Sequence, residues 1–200
     1  TAWAVGNRTG LVELMAKKTP DTSKIPGQTM ELMRFWNIAP GDVCFDRGGG
    51  GKQHADALRA MGMNVRTVAF GETVAPELKR GSMTSTYGEK LDAREEGYVW
   101  KNRRAEMTGE LALLVAAGGF GLPAKLLNRR RDDGGPSLRD QLVKIPRLMD
   151  DNGRYWVPSK GVVTDEMKRQ NVKTLIDIIG CSPDEADAVM EALDARKCER

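Results

Sequence analysis

The sequence has little of several features that would place it in a specialised class. Its three cysteines are scattered and form no CxxC pair, so they fit free thiols in a reducing compartment rather than a disulfide framework or a zinc site; they are Cys44, Cys181 and Cys198. No apolar run approaches the roughly 18 residues that a membrane span requires, and no basic-then-apolar leader indicates secretion. The single histidine, His54, has no serine or cysteine nucleophile nearby, so a catalytic triad is not expected.

The remaining composition is typical of a folded protein. The 200 residues fit one domain of ordinary size. Hydrophobic residues make up 40% and charged residues 30% of the chain, which excludes a disordered or a membrane-embedded protein. Lysine and arginine number 31 against 28 aspartates and glutamates, a net charge of +3. That excess is too small to indicate nucleic-acid binding, so only a clustering of basic residues could do so.

The spacing of apolar residues predicts one α/β domain. Alternation at the start predicts a hairpin of two strands, and an amphipathic helix follows Gly27. A short apolar strand at 43–46, four glycines, a helix and a strand at 64–70 form a βαβ unit, which implies a parallel pair. The remaining predicted elements are helices over 100–116, 138–145, 174–179 and 183–193, a strand over 154–157 and a polar loop over 82–97. The predicted architecture is a mixed sheet flanked by helices.

The first candidate site is the segment Phe-Asp-Arg-Gly-Gly-Gly-Gly-Lys at 45–52. An acid at the carboxyl end of a buried strand, here Asp46, lies where open α/β sheets place their sites. The glycines allow a phosphate or a metal to approach the backbone closely. A Walker A loop is disfavoured because Lys52 is followed by Gln53 rather than by serine or threonine. Two interpretations of Asp46 stay open: a functional carboxylate, or a turn residue that caps the next helix.

The second candidate lies in the segment 180–189, Gly-Cys-Ser-Pro-Asp-Glu-Ala-Asp-Ala-Val. Ser182 and Pro183 are typical of a helix start. Asp184 and Asp187 are three residues apart, so their carboxylates share one helix face. Asp187 stands among apolar neighbours, and a carboxylate that faces the sheet there needs a partner such as a divalent cation. The alternative is structural, since acids at a helix N-terminus interact favourably with the helix dipole.

Basic residues form the third candidate. They occur in clusters along a chain of small net charge, which indicates that charge is segregated. If the clusters share a face with the acids, that face would hold nucleic-acid phosphates around a metal centre. Each cluster alone is more typical of a solvated surface. The predicted phosphate-contacting residues are Lys52, Arg103, Arg104 and Lys160, and a further basic loop contains Arg129, Arg130 and Arg131.

Taken together, the chain resembles the nuclease domain of the large terminase subunit of tailed bacteriophages, a member of the RNase H-like superfamily with resolvase-like relatives. Four segments carry the resemblance in order: Thr-Ala-Trp-Ala-Val-Gly at 1–6, Val-Cys-Phe-Asp at 43–46 with its glycine turn, Trp-Lys-Asn-Arg-Arg-Ala-Glu at 100–106, and Ser-Pro-Asp-Glu-Ala-Asp-Ala at 182–188. Tyr-Trp-Val-Pro-Ser-Lys at 155–160 is similar to the family's last strand. The resemblance covers nearly the whole chain and implies an RNase H-like mixed sheet flanked by helices.

The resemblance also implies a chemistry. Terminase nucleases cut double-stranded viral DNA into genome lengths, while a separate ATPase domain of the same polypeptide drives packaging. The superfamily uses acids to hold two divalent cations, Mg²⁺ or Mn²⁺, of which one helps to generate hydroxide and the other stabilises the leaving 3′ oxygen. Matched by motif, Asp46 corresponds to the family's second acid, and Asp184 and Asp187 to the last. The resemblance therefore implies that these three residues are catalytic and bind the metal.

Partners and a location are implied in the same way. The partners are double-stranded DNA, the ATPase domain, the small terminase subunit and the portal, without a membrane. The location is the cytoplasm of the infected bacterial host. We expect residues 1–200 to form one nuclease domain, the C-terminal part of a larger polypeptide that also carries the ATPase domain.

The chain departs from the family pattern at two places. The family's first acid lies on its central first strand, whereas the opening hairpin of this chain matches the family's second and third strands. Because the sequence starts at Thr1, we expect the fold to be truncated before its first strand. Two interpretations stay open: the first acid lies upstream of Thr1, or the site is incomplete. The stretch 161–179 is longer than the family pattern and indicates an insertion, such as an additional helix.

Three functions remain as hypotheses. The leading one is a Mg²⁺- or Mn²⁺-dependent endodeoxyribonuclease that hydrolyses phosphodiester bonds. The second is a junction-resolving nuclease of the same superfamily, which would prefer four-way junctions to linear duplexes. The third is a catalytically silent docking domain that binds DNA or the portal, which the lack of a first acid favours.

Overall fold

The computed structural model describes residues 1–74 and 99–195. The predicted polar loop over 82–97 and Cys198 lie outside these residues. Within them, the strands are β1 Ala2–Gly6, β2 Leu11–Ala16, β3 Cys44–Asp46, β4 Arg66–Val68, β5 Leu148–Met149 and β6 Tyr155–Trp156. The helices are α1 Ile25–Trp36, α2 Gly51–Ala60, α3 Arg103–Ala116, α4 Ala124–Leu127, α5 Leu138–Lys144, α6 Asp165–Arg169, α7 Leu175–Ile179 and α8 Asp184–Ala195.

The strand pairing confirms the predicted α/β class. Strands β1 and β2 form the expected antiparallel hairpin, in which Ala4 lies opposite Leu14. Strands β3 and β4, which precede and follow α2 in the chain, pair with each other in parallel, with Asp46 opposite Val68. The βαβ pattern predicted this pairing. Strands β5 and β6 form a second antiparallel pair. Among the described residues these are three separate two-stranded ladders rather than one continuous hydrogen-bonded sheet.

Helix α3 begins three residues later than the apolar pattern predicted. Asn102 has an extended backbone, and its side chain accepts a hydrogen bond from the amide of Ala105 at 3.0 Å. This is the geometry of a helix N-cap, which satisfies one of the amides that lack a partner in the first turn. The cap therefore sets the start of α3, and with it the position of Arg103 and Arg104 in its first turn.

Helix α8 lies in the largest apolar core and contacts β1, β3 and α3. Val189 and Met190 of this helix are 0% and 1% exposed. They pack in one cluster with Leu14 of β2 and Leu114 of α3. Because residues three apart share a helix face, the burial of Met190 carries Asp187 toward the interior as well. The helix is thus anchored by apolar burial and presents acids at its N-terminal end.

The stretch 161–179, predicted to be an insertion, contains the two short helices α6 and α7. Leu175 and Ile179 of α7 are buried in a second apolar cluster with Trp100. Glu166 of α6 accepts a hydrogen bond from the ammonium of Lys101 at 2.6 Å. The segment is therefore attached to the body of the fold by both apolar and ionic contacts. Among the residues described, no helix has the length and hydrophobicity that crossing a membrane would require.

Candidate metal centre

The turn after β3 determines where Asp46 lies. The Asp46 carboxylate accepts a hydrogen bond from the amide of Gly48 through Oδ1 at 2.9 Å. Gly49 and Gly50 then adopt φ angles of 57° and 93°, in the left-handed region that glycine enters without steric cost. Helix α2 starts at the next residue, with Gly50 as its N-cap. Asp46 thus has a structural part in the turn, and it stands half-buried at the end of its strand.

Gly51 is the glycine of this turn that the fold can least replace. A Cβ added there would lie 1.9 Å from the backbone oxygen of Asp46, whereas one added to Gly27 of α1 would meet nothing within 4 Å. Since the clash is with backbone, the turn itself has to move. We predict that Gly51→Ala destabilises the protein by about 1–3 kcal/mol and that Gly27→Ala, in a helix, leaves stability unchanged or raises it. Urea unfolding of both variants is the measurement, and equal effects would contradict the predicted geometry of the turn.

Asp187 is buried in the first turn of α8, as its sequence context predicted. It is 5% exposed. The guanidinium of Arg104 donates hydrogen bonds to both of its carboxylate oxygens, and the longer of these measures 3.3 Å. Arg104 is itself 6% exposed, and its guanidinium lies 4.0 Å from the centre of the Phe70 ring. The partner that a buried carboxylate requires is therefore, in this structure, an arginine from α3.

Lys160 joins the two aspartates of α8. Its ammonium donates to Asp184 at 2.5 Å and to Asp187 at 3.3 Å. Asp184 also accepts from the hydroxyl of Ser182 at 2.6 Å. Although burial disfavours the charged ammonium, the Asp187 and Asp184 carboxylates hold the pKa of Lys160 above its usual value. Burial likewise opposes ionisation of Asp184, but the hydrogen bonds from Lys160 and Ser182 lower its pKa overall.

A cavity of about 560 Å³ brings the predicted acids together. Asp46, Asp184 and Asp187 all line it, and so does Lys160. Two segments of the chain far apart in sequence therefore supply carboxylates to one space between β1, β3 and α8. Oxygen donors of this kind are the ligands that Mg²⁺ and Mn²⁺ prefer.

Sequence reasoning missed two further acids on this cavity, Asp42 and Glu191. Glu191 lies one helical turn after Asp187, and this spacing of four residues was the available signal. Its Oε1 is covered from solvent and has no hydrogen-bond partner among the described residues. Burial raises the pKa of Glu191 well above its usual range, and the negative charges of Asp46 and Asp187 raise it further.

The predicted phosphate-contacting residues lie in different surroundings. Lys52 is exposed in the first turn of α2. Arg103 forms ion pairs with Glu106 and Asp194, and Arg104 is buried against Asp187 as described above. Arg103 and Arg104 therefore form ion pairs with interior carboxylates. Lys52 and the partly exposed Lys160 lie at or near the surface.

The donor set fits a divalent cation in its chemistry, since it consists of carboxylates and includes a covered oxygen without a partner. As arranged here, however, no three acidic, histidine or cysteine side chains within residues 1–74 and 99–195 form a group that could hold an ion. Asp184 and Asp187 are engaged by Lys160, which supplies positive charge at the place where a cation would supply it. A metal would have to displace this ammonium group.

The fold is similar to that of solved nuclease domains. The nuclease domain of the large terminase subunit gp2 of bacterial virus Sf6 superimposes with a TM-score of 0.56 at 20% identity, over 95% of this chain and 80% of that one. A lysine-to-alanine mutant of the Sf6 domain with manganese gives a TM-score of 0.56 at 18% identity, over 95% and 81% of the two chains. The same kind of mutant with calcium gives 0.55 at 18% identity, over 95% and 80%.

These likenesses define the fold of the chain, which is that of the terminase nuclease domain, of the RNase H-like type. Neither a protein-family model nor a curated protein matches the sequence. The structure thus supports the resemblance seen in the sequence motifs at the level of the fold.

Proposed function

We propose that this chain is a divalent-metal-dependent endonuclease domain that cleaves double-stranded DNA during viral genome packaging. The observation that carries the proposal is the cavity into which β3 brings Asp46 and α8 brings Asp184 and Asp187, in a fold shared with a terminase nuclease domain. Carboxylates of this kind, contributed by a strand end and a helix start, suit two-metal phosphodiester hydrolysis.

In this proposal Asp46, Asp184 and Asp187 hold Mg²⁺ or Mn²⁺, with two ions in the active state. When bound, the metal lowers the pKa of water and stabilises the charge of the leaving oxygen. Arg104 orients the Asp187 carboxylate through its paired hydrogen bonds. Lys160 neutralises Asp184 and Asp187 before the metal binds. Once released from them, its ammonium is available to a DNA phosphate, as is that of the exposed Lys52. Arg103 and Arg104, which the sequence also predicted to contact DNA, are instead paired with interior carboxylates.

The proposal extends to the setting in which the domain acts. It works as the nuclease domain of a terminase large subunit, next to an ATPase domain, with the small terminase subunit and the portal as partners. Its place is the cytoplasm of an infected bacterium. The basis for this setting is the likeness of the fold to the gp2 domain of virus Sf6.

Incubating the full-length protein with DNA tests the proposal. We expect nicking and linearisation of a supercoiled plasmid with Mn²⁺ or Mg²⁺, and none with EDTA. A linear duplex and a four-way junction of matched sequence, cut in parallel, separate the terminase reaction from junction resolution. Preference for the junction would favour the resolving nuclease, and cutting that persists in EDTA would contradict metal dependence.

A docking domain without catalytic activity is the second candidate function. The observation that favours it is the ionic pairing of Asp187 with both Arg104 and Lys160, which neutralises the buried carboxylate without any metal. Such a domain would bind DNA or the portal and need not bind Mn²⁺. Isothermal titration of the full-length protein with MnCl₂ therefore distinguishes the two functions, because only the nuclease is expected to take up the ion.

A further inference from the structure

Glu191 is a half-buried acid of α8 whose carboxyl oxygen Oε1 is covered from solvent. Its neighbours on the cavity-facing side of α8 are small, namely Ala188 and Ala192. Its Oε1 is buried and lacks a hydrogen-bond partner among the described residues. An uncompensated buried polar group costs free energy, and an alanine at this position would avoid that cost. A covered Oε1 with no hydrogen-bond partner within residues 1–74 and 99–195 indicates a role for this oxygen.

The groups around Glu191 place its carboxyl close to the predicted acids. The negative charges of Asp46 and Asp187 act on it, and the cations Arg104 and Lys160 partly oppose them. It also lies close enough to β3 to affect Cys44. Burial, followed by the charges of Glu191 and Asp194, raises the pKa of that thiol to about 12. Glu191 therefore lines the same cavity as Asp46 and Asp187, within the range of their charges.

We propose that Glu191 is a further carboxylate ligand of the divalent cation, alongside Asp46 and Asp187. The inference rests on the proposed metal-dependent function and adds to it a residue of the chain that no sequence motif marks. Asp187 and Glu191 are four residues apart, so both can face one ion from adjacent turns of α8. A cation in the cavity would give the covered Oε1 the partner that it lacks and would offset the mutual repulsion of the three acids.

Titration of the full-length protein with MnCl₂, in the absence of nucleotide, tests this proposal. We expect Glu191→Gln to weaken Mn²⁺ binding at least tenfold, because it replaces a charged ligand by an amide of the same shape. Glu31→Gln is the matched control, since it removes an exposed glutamate of α1 that does not line the cavity. This control variant should bind Mn²⁺ as the parent does.

Asp187→Asn serves as the reference for loss of the site. Glu191→Asp, which keeps the charge but retracts it by one methylene, should also bind more weakly and replaces the glutamine variant if that one does not fold.

The outcomes separate the two proposals. If the parent binds Mn²⁺, Asp187→Asn loses binding and both Glu191 variants bind as the parent does, the role of Glu191 is overturned while the metal centre stands. If the parent and Asp187→Asn show the same lack of binding, the metal-dependent function fails and the role of Glu191 fails with it. Weaker binding by the Glu191 variants, with an unchanged Glu31→Gln control, supports the proposal.

Discussion

Asp187→Asn should reduce the metal-dependent DNA cleavage of the full-length protein by at least about 100-fold. A bound cation contributes several kcal/mol of transition-state stabilisation, and each 1.4 kcal/mol corresponds to a factor of about ten in rate. Asparagine preserves the shape of the side chain and an oxygen that can accept a hydrogen bond from Arg104, but it leaves the buried Arg104 charge without its counter-ion. A loss of stability should therefore accompany the loss of catalysis. Initial rates of plasmid cleavage with Mn²⁺ are the measurement, and Asp46→Asn should show a comparable loss.

The control for this prediction is Asp165→Asn. Asp165 lies in the first turn of α6, where its side chain is 94% exposed. The substitution therefore removes the same charge from a helix N-terminus away from the cavity, and cleavage should be unchanged. Cleavage by Asp187→Asn and Asp46→Asn at the parent's rate would overturn the assignment of the acids. Thermal unfolding of each variant checks that the fold is intact.

Arg104→Met should destabilise the protein by about 3 kcal/mol. Breaking a buried ion pair by removing one partner typically costs 3–5 kcal/mol, because the other charge is left buried. The lower end applies here because Lys160 still contacts Asp187 at 3.3 Å. The loss is measured as the change in the free energy of unfolding in urea. Arg34→Met, at an exposed arginine in the last turn of α1, should change that free energy little.

A double substitution shows whether the cost arises from the unpaired charge. Removing both partners of a buried pair is far less costly than removing one. The combined variant Arg104→Met/Asp187→Asn should therefore be more stable than Arg104→Met alone, and the difference gives the coupling energy between the two side chains. A combined loss equal to the sum of the two single losses would mean that the pair contributes no coupling.

Local patterns were sufficient to predict the elements that carry the acids. The run from Cys44 to Asp46 and the four glycines predicted a strand, a turn and a helix. These predictions succeeded because the preferences of apolar strand residues and of glycine depend only on residues adjacent in the chain. The apolar neighbours of Asp187 predicted its burial for the same reason. In these regions the sequence alone indicated both the secondary structure and the depth of the functional side chains.

The ionic partners of the site could not be predicted in this way. Arg104 and Asp187 are 83 positions apart, and their pairing depends on how α3 packs against α8. From the sequence, Arg103 and Arg104 were a basic cluster predicted to contact phosphates. In the structure their charges are compensated by Glu106, Asp187 and Asp194. Neighbouring basic residues in a sequence show only that positive charge is present there. The direction in which each side chain points depends on the helix face that it occupies.

By itself the sequence determined the α/β class, the turn that holds Asp46 and the acidic start of α8, since each of these depends on residues near one another in the chain. Only the tertiary structure brought Asp46 into one cavity with Asp184 and Asp187, paired the last two with Lys160, and placed Glu191 on the same cavity. The physical reason is that buried charges interact over a few ångströms of space, and the packing of α8 against β1, β3 and α3 decides which charges come that close.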